Sequence, residues 1–435
     1  MSIFNSTDVT MKYRYQVSEF TVIVPASEKS ASMTYALPKE RIVSIGIFHD
    51  YEGMAFPVLK ITTVLEANMY RIIMKNKDSV KFKIRIQKYY TDASGKNPSL
   101  MRDSINDQFD LIMNDDYADT DSVLRAEGTK TNLDTKNTEK SLDNDDLFAI
   151  DNTIDFFLFK SDTIMKTKTD ANSILQNASV SDAVAYIISK TKLKNFLVSP
   201  IKNKMIYKEL YIPPGKASNA LCFIDSYYGL YPTGSIIYFD FNRAYILEFT
   251  DKCTAYEPNE NKEITILMPV RSSEHDIVMC SLRRSVKDKI DYVVGNPQTF
   301  SPSNESVSYD ITNGTSATVI DNTKGSVESV TPNKVKTKNN SSTNKTIFEN
   351  KTENPYISQT YNAQMNSIAL VLNIDLGDFD MDIIAPNKKV NIIFEDSSLS
   401  IKYKGSYKIA KATHEFTKNG NDFQISTKLV LKKMN

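Results

Sequence analysis

The chain has 435 residues, too many for one compact core, so two to four domains are expected. Its 53 basic and 53 acidic side chains cancel, which argues against a dedicated nucleic-acid binder, since such proteins are normally basic. Hydrophobic residues make up 41% and aromatics 10%, enough for packed cores, while only 13 glycines argue against nucleotide-cradling loops.

The cysteines Cys222, Cys253 and Cys280 are odd in number, widely spaced and form no CxxC pair. They read as small apolar fillers, neither a disulfide framework nor a zinc site. The first residues hold no apolar signal core, and no apolar run reaches about 18 residues. The expectation is a protein of the reducing cytoplasm with no stable membrane association.

In chain order, 20–24 and 42–48 read as strands. Leu65, Met69, Ile72 and Ile73 fall at helical spacing, which predicts a helix over 65–75. Val80, Phe82, Ile84 and Ile86 alternate with Lys81, Lys83, Arg85 and Gln87, the period of a strand with one wet face. The segment 103–151 then carries 14 acidic and 4 basic residues. It reads either as a solvated acidic linker or as an arm that orders on a basic partner.

The next block is mixed. Ser179 and Asp182 form a variant capping box ahead of the stripe Val184, Ile187 and Ile188. A second helix is predicted over 218–228, with Gly229 placed to stop it. A strand rich in β-branched and aromatic residues follows over 234–241. Half of the 50 residues in 301–350 are Ser, Thr or Asn, so that stretch is expected to lack regular structure. Its apolar pairs Val319-Ile320 and Ile347-Phe348 are the natural anchors for docking on a neighbour. Strands are expected over 391–395 and 398–403, then a hairpin of 407–416 and 423–431 turning at Asn419-Gly420, a strong local turn signal.

Motifs that carry chemistry are scarce. His49, His275 and His414 lack a histidine four residues on, and no HExxH or GxSxG occurs. Glu274-His275-Asp276 reads as a polar loop and Arg283-Arg284 as a surface pair. No catalytic, cofactor-binding or metal-binding residue is expected.

The stretch Ala220-Leu221-Cys222-Phe223-Ile224-Asp225-Ser226-Tyr227-Tyr228-Gly229-Leu230-Tyr231, with Ile237-Tyr238-Phe239-Asp240-Phe241, resembles the helix, tight corner and aromatic strand of the baseplate hub proteins of contractile-tailed bacteriophages. More distantly, it is similar to the N-terminal part of type VI secretion spike proteins. Gly405-Ser406-Tyr407 with His414-Glu415-Phe416 is similar to that family's closing strands. Ala385-Pro386-Asn387 stands where many relatives carry Pro-Gly. The structural positions carrying the resemblance are Tyr228, Gly229, Tyr231, Phe239, Asp240, Tyr407 and His414.

The resemblance implies an α+β, mainly β fold with two tail-tube-like β-barrel modules bracketing a mixed α/β middle domain and two low-complexity spacers. The expected divisions are a first tube-like barrel over 1–102, an acidic spacer over 103–151, the middle domain over 152–297, an extended Ser/Thr/Asn-rich insert over 298–359 and a second tube-like barrel over 360–435. The implied function is structural, not enzymatic and without a cofactor. A homotrimer would form a pseudo-sixfold ring joining the sixfold tail tube protein to the threefold central spike protein, beside the baseplate wedge proteins. DNA would pass through its lumen after spike release. The expected place is the virion tail baseplate, after assembly in the host cytoplasm. A tail-associated adhesin or fibre-attachment protein is the competing reading, and a tail-borne cell-wall hydrolase ranks below it.

Overall fold

The computed structural model describes residues 11–26, 31–52, 55–92, 98–112, 151–167, 169–231, 234–248, 263–268, 282–283, 290–295, 299–303, 316–321, 326–330, 345–350, 371–394 and 405–433. The first strands are β1 (Met11–Val24), β2 (Met33–Ala36), β3 (Ile42–Asp50), β4 (Val58–Glu66), β5 (Lys81–Asp92) and β6 (Arg102–Ile112), and the alternation of buried and wetter residues is clearest in β4 and β5. The helix α1 (Ala67–Lys75) packs Ile73 into the core, and Leu65 belongs to β4 instead of opening the helix. β7 (Asp151–Lys160) and α2 (Ser161–Thr167) follow. Residues 103–112, counted with the acidic spacer, are therefore strand. Their acidic side chains answer the cations of β5, with Arg85 Nε 2.9 Å from Asp103, while Ile105 and Phe109 are buried.

The N-terminal strands do not close on themselves. β22 (Gly405–Asn419) and β23 (Asp422–Lys433), the predicted hairpin, complete them. Pairing runs β22-β3-β4-β7-β6-β5-β1-β23 and returns to β22, an eight-stranded antiparallel barrel. The interior is filled by Tyr15, Ile45, Ile47, Leu59, Phe82, Phe109 and Phe416, all nearly inaccessible. Each such side chain contributes about 1.5–3 kcal/mol on burial. The barrel is a packed core rather than a pore.

The far half of the same hairpin carries a second set of strands. β22 pairs with β21 (Lys389–Phe394), which continues to β13 (Glu263–Met268), β15 (Ile290–Gly295) and β14 (Leu282–Arg283). β23 pairs with β20 (Val371–Gly377), which carries β16 (Thr299–Ser303). So both ends of the chain share one hairpin, where two separately closed blocks were expected.

The middle of the chain has its own core. β8 (Asp170–Ser179) and β10 (Ile206–Lys216) form an antiparallel ribbon. Against it pack α3 (Val180–Thr191) and α4 (Ala217–Tyr228), burying Ile187, Leu210, Ile212, Leu221 and Ile224. β9 (Phe196–Val198), β11 (Ser235–Phe239) and β12 (Ala244–Glu248) form a small mixed sheet. The capping box is present in full: Asp182 N donates to Ser179 Oγ at 3.2 Å, and Ser179 N to Asp182 Oδ2 at 2.8 Å. Gly229 ends α4 at φ 75°. Cys222 is exposed rather than a buried filler.

The Ser/Thr/Asn-rich stretch holds regular structure after all. β17 (Ser316–Asp321) pairs antiparallel with β18 (Ser326–Val330) and with β19 (Lys345–Asn350). Composition hid the short β-branched runs Thr318-Val319-Ile320 and Thr346-Ile347, which favour strand. Val319 lies opposite Ile347 in the register. Cys253, His275, Cys280 and the strand expected over 398–403 lie outside the described residues. Among the described residues, no helix is long and apolar enough to cross a membrane.

Candidate functional site

His49 is the next-to-last residue of β3 and His414 lies on β22. The register places His49 opposite Ala412 and His414 opposite Ile47, so the two rings are diagonal neighbours on one face. Their centroids are 5.5 Å apart and the rings meet edge-on. Both are buried. β11 and the turn after it bring Tyr238, Asp240 and Phe241 against this pair. His49 Nδ1 is 2.9 Å from the Tyr238 hydroxyl and 3.9 Å from Asp240 Oδ1. His414 Nδ1 is 3.0 Å from Thr427 Oγ1 on β23. Phe241 meets His49 and Phe109 edge-on, and its carbonyl accepts from Lys160 Nζ. Here the barrel and the middle unit meet.

A second polar knot lies on the adjoining wall. The Tyr15 hydroxyl donates to the Phe379 carbonyl at 3.1 Å and accepts from Met381 N at 3.0 Å. Lys88 Nζ bridges Asp380 at 2.7 Å and Asp382 at 2.6 Å, and Ser104 Oγ donates to Asp382. Between the two knots lies a cavity of about 330 Å³, walled by His49, His414, Asp240, Phe241, Arg243, Tyr245, Asp103, Met381, Asp382 and Ala385, among others.

Burial sets the electrostatics. It pushes His49 below the usual imidazole range, with Asp240 opposing in part. Burial, then the neighbouring His49, pushes His414 well down. Burial pushes the Asp240 carboxyl up, against His49 and Lys160. For Lys88 burial acts downward, but Asp380 and Asp382 outweigh it and leave the ammonium raised. The histidines are thus neutral hydrogen-bonding groups. The cluster clamps three chain segments together through Tyr238, Thr427 and Lys160. Among the described residues, no group of three His, Cys, Asp or Glu is placed to hold a metal.

Of the positions marked by the resemblance, only Asp240 and His414 meet here. Tyr228, Gly229, Tyr231 and Phe239 build the middle core. Tyr228 Oη accepts from Tyr211 N at 2.9 Å, Tyr231 Oη donates to the Ser199 carbonyl at 2.7 Å, and Phe239 stacks on Phe56 at 5.3 Å. Tyr407 is fully buried on β22, opposite Val390 and Lys433. Sequence reasoning weighed His49 singly and missed its pairing with His414, together with Tyr238, Lys88, Asp380 and Asp382. The run Asp378-Phe379-Asp380-Met381-Asp382 is a signal that could have found the last two.

Residues 32–434 match a family model described as Bacteriophage PBS1 gene 109 protein. The chain belongs to that family. A bacteriophage family is also what its aromatic stretches resemble. No curated protein matches. Among solved structures, the chain is similar to the tail protein from Neisseria meningitidis MC58, at 8% identity and TM-score 0.46, over 98% of this chain and 97% of that one. It is similar to the 43 kDa tail protein of prophage MuSo2 from Shewanella oneidensis, at 8% identity and TM-score 0.46, over 96% and 98%. A third is the E. coli c3393 protein, a type VI secretion system component with structural similarity to the T4 tail proteins gp27 and gp5, at 5% identity and TM-score 0.40, over 91% and 74%.

Proposed function

We propose that this chain is a structural hub subunit of a phage tail baseplate. Three copies form a pseudo-sixfold ring that joins the tail tube to the central spike, beside the wedge proteins, and DNA passes through the lumen after the spike leaves. In this reading the closed barrel is one tube-like module, and the strands on the far half of the shared hairpin form the second. The observation that carries it is that hairpin: β22 and β23 pair with both sets of strands, which supports reading them as two adjoining β modules in one chain. Membership of a bacteriophage family over 32–434 supports the viral setting. The filled barrel interior supports work done by outer surfaces rather than by a bound substrate.

Native mass measurement and low-resolution imaging test this, on the chain alone and mixed with tail-tube and spike proteins from the same phage. The expected result is a threefold ring that binds both. A monomer that binds neither overturns the hub reading.

A further inference from the structure

The cavity between the barrel and the middle unit contains a carboxylate, Asp240, that makes no ion pair with a lysine or arginine among the described residues. Three aspartates line it. Asp382 is held by Lys88 and Ser104, and Asp103 by Arg85, Gln87 and Asn106. Asp240 differs. Its Oδ1 accepts from Phe241 N at 2.8 Å, and the nearest titratable base, His49, is 3.9 Å away and kept neutral by burial. Among the described residues no lysine or arginine pairs with it. Lys160, the closest ammonium acting on it, is spent on Asp107 at 2.9 Å and on the Phe241 carbonyl. Arg243, on the cavity wall, turns its Nε to Asn195 at 3.2 Å.

A part-buried carboxylate with no lysine or arginine beside it is costly to ionise, and a cation brought to it recovers part of that cost. The volume of about 330 Å³ lies at the lower end of small-ligand sites. Its remaining walls suit an alkyl stem: Phe241, Tyr245, Met381 and Ala385 are apolar or aromatic. The His49 and His414 rings add neutral hydrogen-bonding edges. The apolar and aromatic walls beside the single carboxylate of Asp240 suit an organic cation better than a bare ion.

We propose that this cavity binds an alkyl-ammonium or alkyl-guanidinium group, with Asp240 as its counter-ion. The group comes either from a free solute or from a lysine or arginine side chain of an adjoining protein. The proposal does not depend on the hub reading, since the described walls of the cavity all come from one chain.

The test is calorimetric titration of the full chain with agmatine and, separately, with magnesium and calcium chloride. One agmatine per chain is expected, with neither metal ion competing. Asp240→Asn should weaken agmatine roughly tenfold or more, the size expected when one charge-assisted contact is lost. Ala385→Leu, which fills the cavity and leaves Asp240 in place, should also block binding while circular dichroism and the melting temperature stay near wild type. Failure of the wild-type chain to bind agmatine overturns the proposal, as does wild-type affinity in either variant. Repeating the titration on assembled particles separates the sources. A free-solute site still binds there, whereas a site filled by a neighbour's side chain no longer does.

Discussion

At the scale of single residues, two positions concentrate unusual chemistry. His414 is held neutral because burial and His49 both disfavour its charged form. Its folded pKa is below the unfolded value of about 6.5, so below that pH the unfolded chain binds more protons. Stability from this group is complete above about pH 6.5 and is lost as pH falls, at up to about 1.4 kcal/mol per pH unit. His49 acts in the same direction, while Asp240, whose carboxyl is raised, acts in the opposite one at lower pH. In melting curves between pH 7 and 5, wild type is expected to lose stability more steeply than His414→Gln, which keeps a polar group toward Thr427. Equal slopes would refute the assignment. The second position is Asn387, whose φ of 61° lies in the left-handed region. It follows Pro386 in a turn closed by Lys388 N on the Ala385 carbonyl, and Asn is a residue that tolerates this conformation. Its amide also donates to the Glu248 carbonyl at 2.9 Å, and its Oδ1 accepts from buried Lys408. Asn387→Ala is expected to cost about 2 kcal/mol, from backbone strain and lost hydrogen bonds, and Asn387→Gly less, by denaturant unfolding.

At the scale of elements, legibility tracks how local the signal is. The helix Val180–Thr191 was readable because Ser179 and Asp182 lie three residues apart and satisfy each other's backbone amides. Ser179→Ala should therefore cost about 1 kcal/mol of stability, seen as a lower denaturant midpoint. The C-terminal hairpin was readable from Asn419-Gly420, and Gly420 indeed takes φ 64° in a two-residue loop. The sheet of β17, β18 and β19 was not, because composition was averaged over 50 residues while the strands are five or six long. The joint cluster was equally out of reach. His49, Tyr238 and His414 come from three distant stretches, and each alone reads as an ordinary buried or turn residue.

At the scale of the whole molecule, the decisive fact is that strands from opposite ends of the chain close one barrel. Tyr15 on β1 pairs with Phe423 on β23, and Ser44 to Asp50 on β3 pair with β22. Hairpin signals fix β22 against β23 but carry no information about the partners on their outer edges. The consequence is strong coupling between the termini. Removing residues 405–435 leaves β3 and β1 with open edges and takes Phe416, Phe423, Ile425 and Leu429 out of the core. A chain ending at residue 404 should then lose amide protection in β3, at Ile45 and Ile47, although these residues lie more than 300 positions upstream. The middle core, built within residues 171–246, should keep protection at Ile187 and Leu221. Hydrogen exchange followed by mass spectrometry reads both regions in one experiment. If β3 stays protected in the shortened chain, the N-terminal strands close without the hairpin and the shared-barrel account fails. The same topology predicts slow folding, since pairing residue 15 with residue 423 closes a loop of nearly the full chain length before it is rewarded by contacts.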